Sequence, residues 1–120
     1  MSKSLLLLCQ SSPWSGLSAR ETLDVALAGG AFDLPISMLW LGDGVWQLAA
    51  GQQPELLAQK NLQAQLSSLP LFGVEQLFVC AESLAERSLQ PDELALPVTA
   101  LDSQQIKQLI QQADQVLNFS

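Results

Sequence analysis

Two cysteines, Cys9 and Cys80, are the side chains in this sequence best suited to covalent chemistry. Cys80 stands where the apolar run Leu77-Phe78-Val79 meets an amphipathic helix pattern that begins at Ala81. In an open parallel α/β sheet, ligands and chemistry collect just beyond the carboxyl ends of strands, which is where this spacing puts Cys80. A thiol near a helix N-terminus can have its thiolate stabilised by unpaired backbone N–H groups and the helix dipole. Free cysteine is also among the most buried residue types. Position alone therefore leaves Cys80 as a working thiol, the relic of one, or a small core residue. Cys9 has the same strand-end position in the first unit, but Gln10 and a proline-containing loop follow it, and it reads as core.

Histidine is absent. That removes every Ser-His or Cys-His catalytic pair within the chain and every ordinary zinc site, which would need more Cys or His ligands. Neither a metal nor a cofactor is expected. The loop Gln10-Ser11-Ser12-Pro13-Trp14-Ser15-Gly16 follows a strand and precedes a helix, a place where N–H groups can meet an anion. It has no Gly-x-Gly-x-x-Gly and no Walker lysine, so a nucleotide site is poorly supported. Asp43 lies between two glycines at another strand end, as a functional carboxylate or as an ordinary Asp-Gly turn. Trp14, Trp40 and Trp46 lie in or beside these strand ends, and aromatic anchors of this kind are typical of interface hot spots as well as of cores. Trp14, Asp43 and Trp46 are the interface candidates, and Trp46 leads because its short segment projects from the loop after the second strand.

Ser4 to Cys9 is a continuous apolar run followed by a turn cluster, as expected of a strand buried on both faces. A capping-box pattern at Ser18 and Glu21 opens a helix that Gly29-Gly30 ends. Pro35 to Leu41 is the second strand, closed by Gly42-Asp43-Gly44, and Val45 to Leu48 reads as a short helical turn. Pro54 to Leu69 carries leucines spaced for one broad apolar face, with Pro70 and Gly73 as punctuation. The third strand then runs into Cys80, with a helix from about Ala81 to Ser88. After a polar turn at Pro91-Asp92-Glu93, Leu96 to Leu101 is a weaker strand that Pro97 places near an edge. Asp102 caps a helix from Ser103 to Ala113 with Ile106, Leu109 and Ile110 inward, and Gln115 to Phe119 is the last strand. Strands alternating with helices in this order imply a parallel sheet with helices on both faces.

The chain has 120 residues, enough for one domain (1–120) with a real core and no second one. Charged residues make up 14 %, against roughly 25 % in an average soluble domain, which suggests that partners cover part of the surface. The net charge of −7, with five cations in all, argues against direct nucleic-acid binding, which needs clustered Lys and Arg. No run reaches the length of a membrane span, and Leu5 to Cys9 is too short for a signal-peptide core, so a soluble cytoplasmic protein is expected.

Five stretches together carry a family resemblance. They are Ser12-Pro13 with Ser18-Ala19-Arg20-Glu21 and Leu23-Asp24, then Leu41-Gly42-Asp43-Gly44-Val45-Trp46-Gln47-Leu48, then Gly51-Gln52 with Pro54, then Val74-Glu75-Gln76 running into Val79-Cys80-Ala81, Ser83-Leu84 and Glu86-Arg87, and the terminal strand to Phe119. With them, essentially the whole chain resembles the DsrE/DsrF-like sulfur-relay proteins. The resemblance implies a three-layer α/β/α domain with a five-stranded parallel sheet and flavodoxin-like layering. It implies a subunit that assembles with TusB-like and TusD-like partners into a heterohexamer, two copies of each. In that relay a persulfide passes from a cysteine desulfurase through a TusA-like donor to the complex. A TusE-like acceptor then carries it toward 2-thiolation of the tRNA wobble uridine. The relay cysteine belongs to the TusD-like subunit, at a strand end corresponding to Cys80. The expected function is therefore a non-catalytic or accessory subunit. The alternatives are that Cys80 is itself a persulfide carrier, or that the chain is a DsrF-like subunit in sulfur oxidation. Persulfide transfer needs a thiolate and a receiving thiol from another protein, and no histidine base.

Overall fold

The structure is a computed structural model and describes residues 4–10, 25, 26, 28, 29, 35–48, 69–72, 74, 76–90, 94 and 98–119. Five short strands, β1 (Leu5–Cys9), β2 (Ile36–Trp40), β3 (Gln76–Cys80), β4 (Thr99–Leu101) and β5 (Gln115–Phe119), form one sheet in the order β4-β3-β2-β1-β5. Every neighbouring pair is parallel. Two helices, α1 (Ala81–Glu86) and α2 (Ser103–Gln112), follow β3 and β4. The parallel sheet of the expected class is therefore present. The helical patterns before Val25 and over 54–68, and the turn at 91–93, lie outside the described residues. Val25, Ala26, Ala28 and Gly29 are helical, so the helix expected to stop before Gly29 includes it.

Register fixes which side chains share a face, because successive residues of a strand point to opposite sides. Leu7 and Cys9 align with Met38 and Trp40, and these with Leu77 and Val79. All six are buried and join Val45, Leu48, Leu69, Val74 and Leu84 in the main core. Burying each such side chain contributes roughly 1.5–3 kcal/mol, and this face is the main source of cohesion. The opposite face carries Leu6, Leu8, Ser37, Leu39, Gln76, Phe78 and Cys80. It faces α2, which brings the chain from the β4 edge back to β5 at the other edge.

Local chemistry explains where the elements stop. Asp102 Oδ1 accepts the N–H of Gln105 at 2.8 Å, and Gln105 Oε1 accepts the N–H of Asp102 at 2.9 Å, so the expected cap on α2 is a reciprocal capping box. The last turn of α1 closes through Ser88 N–H to Ala85 O at 3.1 Å and Leu89 N–H to Leu84 O at 2.9 Å. That is the Schellman pattern, with Ser88 at φ 55 in the left-handed position usually given to glycine.

Three further expectations need correction. Ile110 is exposed at 38 %, while Ile106 and Leu109 are half-buried, because the inward stripe of α2 is the i, i+3 pair 106/109 and Ile110 falls at its margin. The turn expected over Val45–Leu48 is a 3-10 helix over Gly42–Gln47, starting earlier because Gly42 takes φ 58 one residue beyond the strand end, after Leu41. Leu69, read as the end of a long helix, opens a 3-10 turn over Leu69–Phe72 that Pro70 suits.

Candidate functional site

The two thiols share the carboxyl edge of the sheet and nothing else. Cys9 aligns with Trp40, which aligns with Val79, so Cys9 is on the main-core face. Cys80 is one residue further on and aligns with Leu101, on the α2 face. β2 separates their strands, which sets their backbones roughly 10 Å apart. Pleat and strand order therefore keep the two thiols from being neighbours. Cys9 is 1 % exposed, with a long 3.9 Å contact from its Sγ to Leu7 O, and burial pushes its thiol pKa far above the ordinary value. It is a core residue, as the sequence suggested. Cys80 is half-buried and holds the N-cap position of α1 without a side-chain capping bond. Of the two thiols, Cys80 is the one that an outside reagent reaches.

Hydrogen bonds fasten the segment after β2 to α1. Ser83 Oγ accepts the N–H of Gly42 at 2.9 Å. Asp43 Oδ1 accepts from Arg87 Nη2 at 2.9 Å and from Arg87 Nε at 3.3 Å. Arg87 Nη1 also donates to the carbonyl of Ser83 at 3.1 Å, which holds the guanidinium over its own helix. On the other side of the segment, Gly44 packs against the carbonyl end of β1, where the Leu41 N–H donates to Cys9 O at 3.1 Å. Three strand ends, at Cys9, Gly42–Gly44 and Cys80, are thus tied into one unit.

Asp43, a candidate for both turn and function, lies in the first turn of the 3-10 helix and is exposed beside Arg87. Trp46 is half-buried in the same segment, and Trp40 is fully buried in the core. Trp14, and the 11–16 part of the first strand-to-helix loop, lie outside the described residues. Ser83 and Arg87 received no role from the sequence. Their signal was the i, i+4 spacing inside the Cys-Ala-x-Ser-Leu-x-Glu-Arg stretch, which sets both on one side of α1. A cavity of about 350 Å³ lies between α2 and the sheet, lined by Ser4, Leu6, Ser37, Phe78, Leu109 and Ala113. It sits toward the amino ends of the strands, away from Cys80. Among the described residues, no three His, Cys, Asp or Glu side chains gather to hold a metal ion, and no helix is long and apolar enough to cross a membrane.

Residues 3–119 match the family model described as DsrE/DsrF-like. A Pseudomonas aeruginosa protein named TusC homolog is 59 % identical over 119 residues, covering 99 % of this chain and 100 % of its own. A TusC homolog of Vibrio parahaemolyticus is 38 % identical over 96 % of this chain and 98 % of its own, and TusC of Shigella flexneri is 30 % identical over 98 % and 99 %. In fold, the crystal structure of the ychN protein from E. coli superposes with a TM-score of 0.81 at 23 % identity, covering 99 % of this chain and 100 % of its own.

Proposed function

Since this chain belongs to the DsrE/DsrF-like family, we propose that it is a subunit of a sulfur relay that delivers persulfide sulfur for 2-thiolation of the tRNA wobble uridine. It acts there as an accessory part of a complex with TusB-like and TusD-like subunits, two copies of each, in the cytoplasm. The complex receives sulfur from a TusA-like donor and passes it to a TusE-like acceptor. The observation that carries this reading is the 59 % identity, over nearly the whole of both chains, to a protein named TusC homolog. Composition agrees with it: a chain of net charge −7 has little to offer tRNA directly, and one without histidine has no Ser-His or Cys-His pair for nucleophilic catalysis. The domain (1–120) is read as a single unit, with Trp14, Asp43 and Trp46 as its contact candidates.

One observation favours a second reading. Cys80 is the accessible thiol, at a strand end where transfer chemistry suits the fold. As a carrier, its thiolate would attack the outer sulfur of a donor persulfide. A new S–S bond forms on Cys80, the donor's S–S bond breaks, and the donor leaves as a thiolate. Replacing Cys80 by serine in the co-expressed complex separates the readings. Thiolation that persists in intact assembly supports the accessory role. Loss of persulfide transfer with the assembly unchanged overturns it in favour of the carrier.

A further inference from the structure

The two stretches that carry most of the family resemblance, Leu41 to Leu48 and Val79 to Arg87, are far apart in sequence yet joined by side-chain hydrogen bonds. Helix α1 has six residues, too few to be stable without tertiary support. Its own anchor is Leu84, 2 % exposed in the core. Among the described residues, its side-chain hydrogen bonds to other elements are those from Ser83 to Gly42 and from Arg87 to Asp43. Both hold α1 against the 42–47 segment, and that segment is itself seated on β1 at Gly44. Cys80 is the N-cap of α1, so whatever sets the position of α1 sets how its thiol is presented.

We propose that Asp43 and Arg87 are positioning residues for Cys80, forming with Ser83 and Gly42 a latch that keeps the thiol half-sheltered at the strand end. A partner that engages the 42–47 segment, where Asp43 and Trp46 are presented, meets the element that controls the thiol. This consequence rests on the relay reading; the latch does not. Because Arg87 reaches Asp43 at a solvent-facing position, with the Asp43 side chain 64 % exposed, the latch is sensitive to salt.

The experiment is alkylation of the reduced full-length chain with uncharged iodoacetamide, following Cys80 and Cys9 separately by mass spectrometry. In the native chain, raising salt from low to about 1 M accelerates Cys80 modification about 2–5-fold, the range an exposed ion pair supports. Arg87→Ala and Asp43→Asn react at the faster rate already at low salt and lose the salt dependence. The double variant is no faster than either single one. Reversal of the pair (Asp43→Arg with Arg87→Asp) restores the slow, salt-dependent rate. Unchanged Cys80 rates in the single variants, or single effects that add in the double variant, overturn the latch. So does Cys9 modification rising in step with Cys80, since that reports loss of the fold. The measurement needs neither partner nor sulfur donor, so its outcome is independent of the relay reading, which the Cys80→Ser complex tests.

Discussion

Gly42 and Gly44 bracket Asp43, and the structure requires each glycine for a different reason. A side chain at Gly42 meets nothing within 4 Å, but its φ of 58 is left-handed. Gly42→Ala therefore has a conformational cost of about 1–2 kcal/mol, partly offset by reduced freedom of the unfolded chain, for a net of about 1 kcal/mol. At Gly44 the obstacle is steric. A Cβ there would stand 2.6 Å from the carbonyl carbon of Cys9, closer still to its oxygen, and 3.1 Å from the N of Gln10. These are backbone atoms that no rotamer change can move aside. The same Cys9 oxygen accepts the Leu41 N–H at 3.1 Å, so relieving the clash pulls apart the link between β1 and the chain leaving β2. Overpacking of this kind costs roughly 1–3 kcal/mol, and a buried hydrogen bond left unmade adds about 1–3 kcal/mol. The expected loss for Gly44→Ala is about 3–5 kcal/mol, a large share of the roughly 5–15 kcal/mol that holds a domain folded. Urea denaturation followed by tryptophan fluorescence measures both variants. At a slope near 1.5 kcal/mol/M, Gly44→Ala lowers the midpoint by about 2 M or more, and Gly42→Ala by less than about 1 M. Gly42→Asn is milder still, since asparagine tolerates the left-handed region. A Gly44→Ala variant as stable as Gly42→Ala would refute the steric argument, and with it the seating of the 42–47 segment on β1.

Two further outcomes are expected. The folded chain keeps Cys9 protonated well above its ordinary value of 9.0, so the contribution of that thiol is intact below about pH 9 and declines at higher pH, as the unfolded chain ionises and the folded one does not. Unfolding free energies of the native chain and of Cys9→Ala from urea denaturation should converge by about 1.4 kcal/mol per pH unit above pH 9, and parallel curves would show that Cys9 is not buried. Ser88 stands at φ 55 where glycine is the usual occupant, and Ser88→Gly should raise stability by about 0.5–1 kcal/mol in thermal unfolding. A destabilised variant would mean that the helix end is not closed by the Schellman bonds.

The elements that were legible in sequence are those where pattern and packing agree. β5 runs over Gln115–Phe119 as expected, and the Asp102 cap announces α2 correctly, because a polar cap before an apolar stripe is a local signal. β4 is described over Thr99–Leu101; Val98, read as part of it, lies outside the strand, and Leu96 and Pro97 lie outside the described residues. At the site, the sequence located Cys80 at the strand end and gave the Gly-Asp-Gly stretch its turn. It left unassigned what holds the two together. Ser83 and Arg87 reach partners 41 and 44 residues away, a relation that no periodicity encodes and that only the alignment of β2 with β3 creates. Whether the two cysteines meet was likewise undecidable from spacing, because the answer turns on one step of register.

That step bears on chemistry. Cys9 and Cys80 occupy opposite faces with a strand between them, and Cys9 is sealed in the core. Forming an intrachain disulfide needs Cα atoms within about 7 Å and Cβ vectors that converge, and the fold meets neither condition. Cys80 is therefore without a resolving thiol among the chain's own cysteines, of which there are two. A persulfide placed on it would have to be discharged by a thiol from another protein, and a Cys80 left idle would not close on Cys9. Either way, any sulfur that Cys80 carried would pass between proteins and not between the chain's own thiols. That makes the surface around the 42–47 segment and α1, rather than any enclosed pocket, the part of the molecule where substitutions should separate assembly from transfer. The cavity under α2 lies at the far end of the sheet, and substitutions there should leave Cys80 alkylation unchanged.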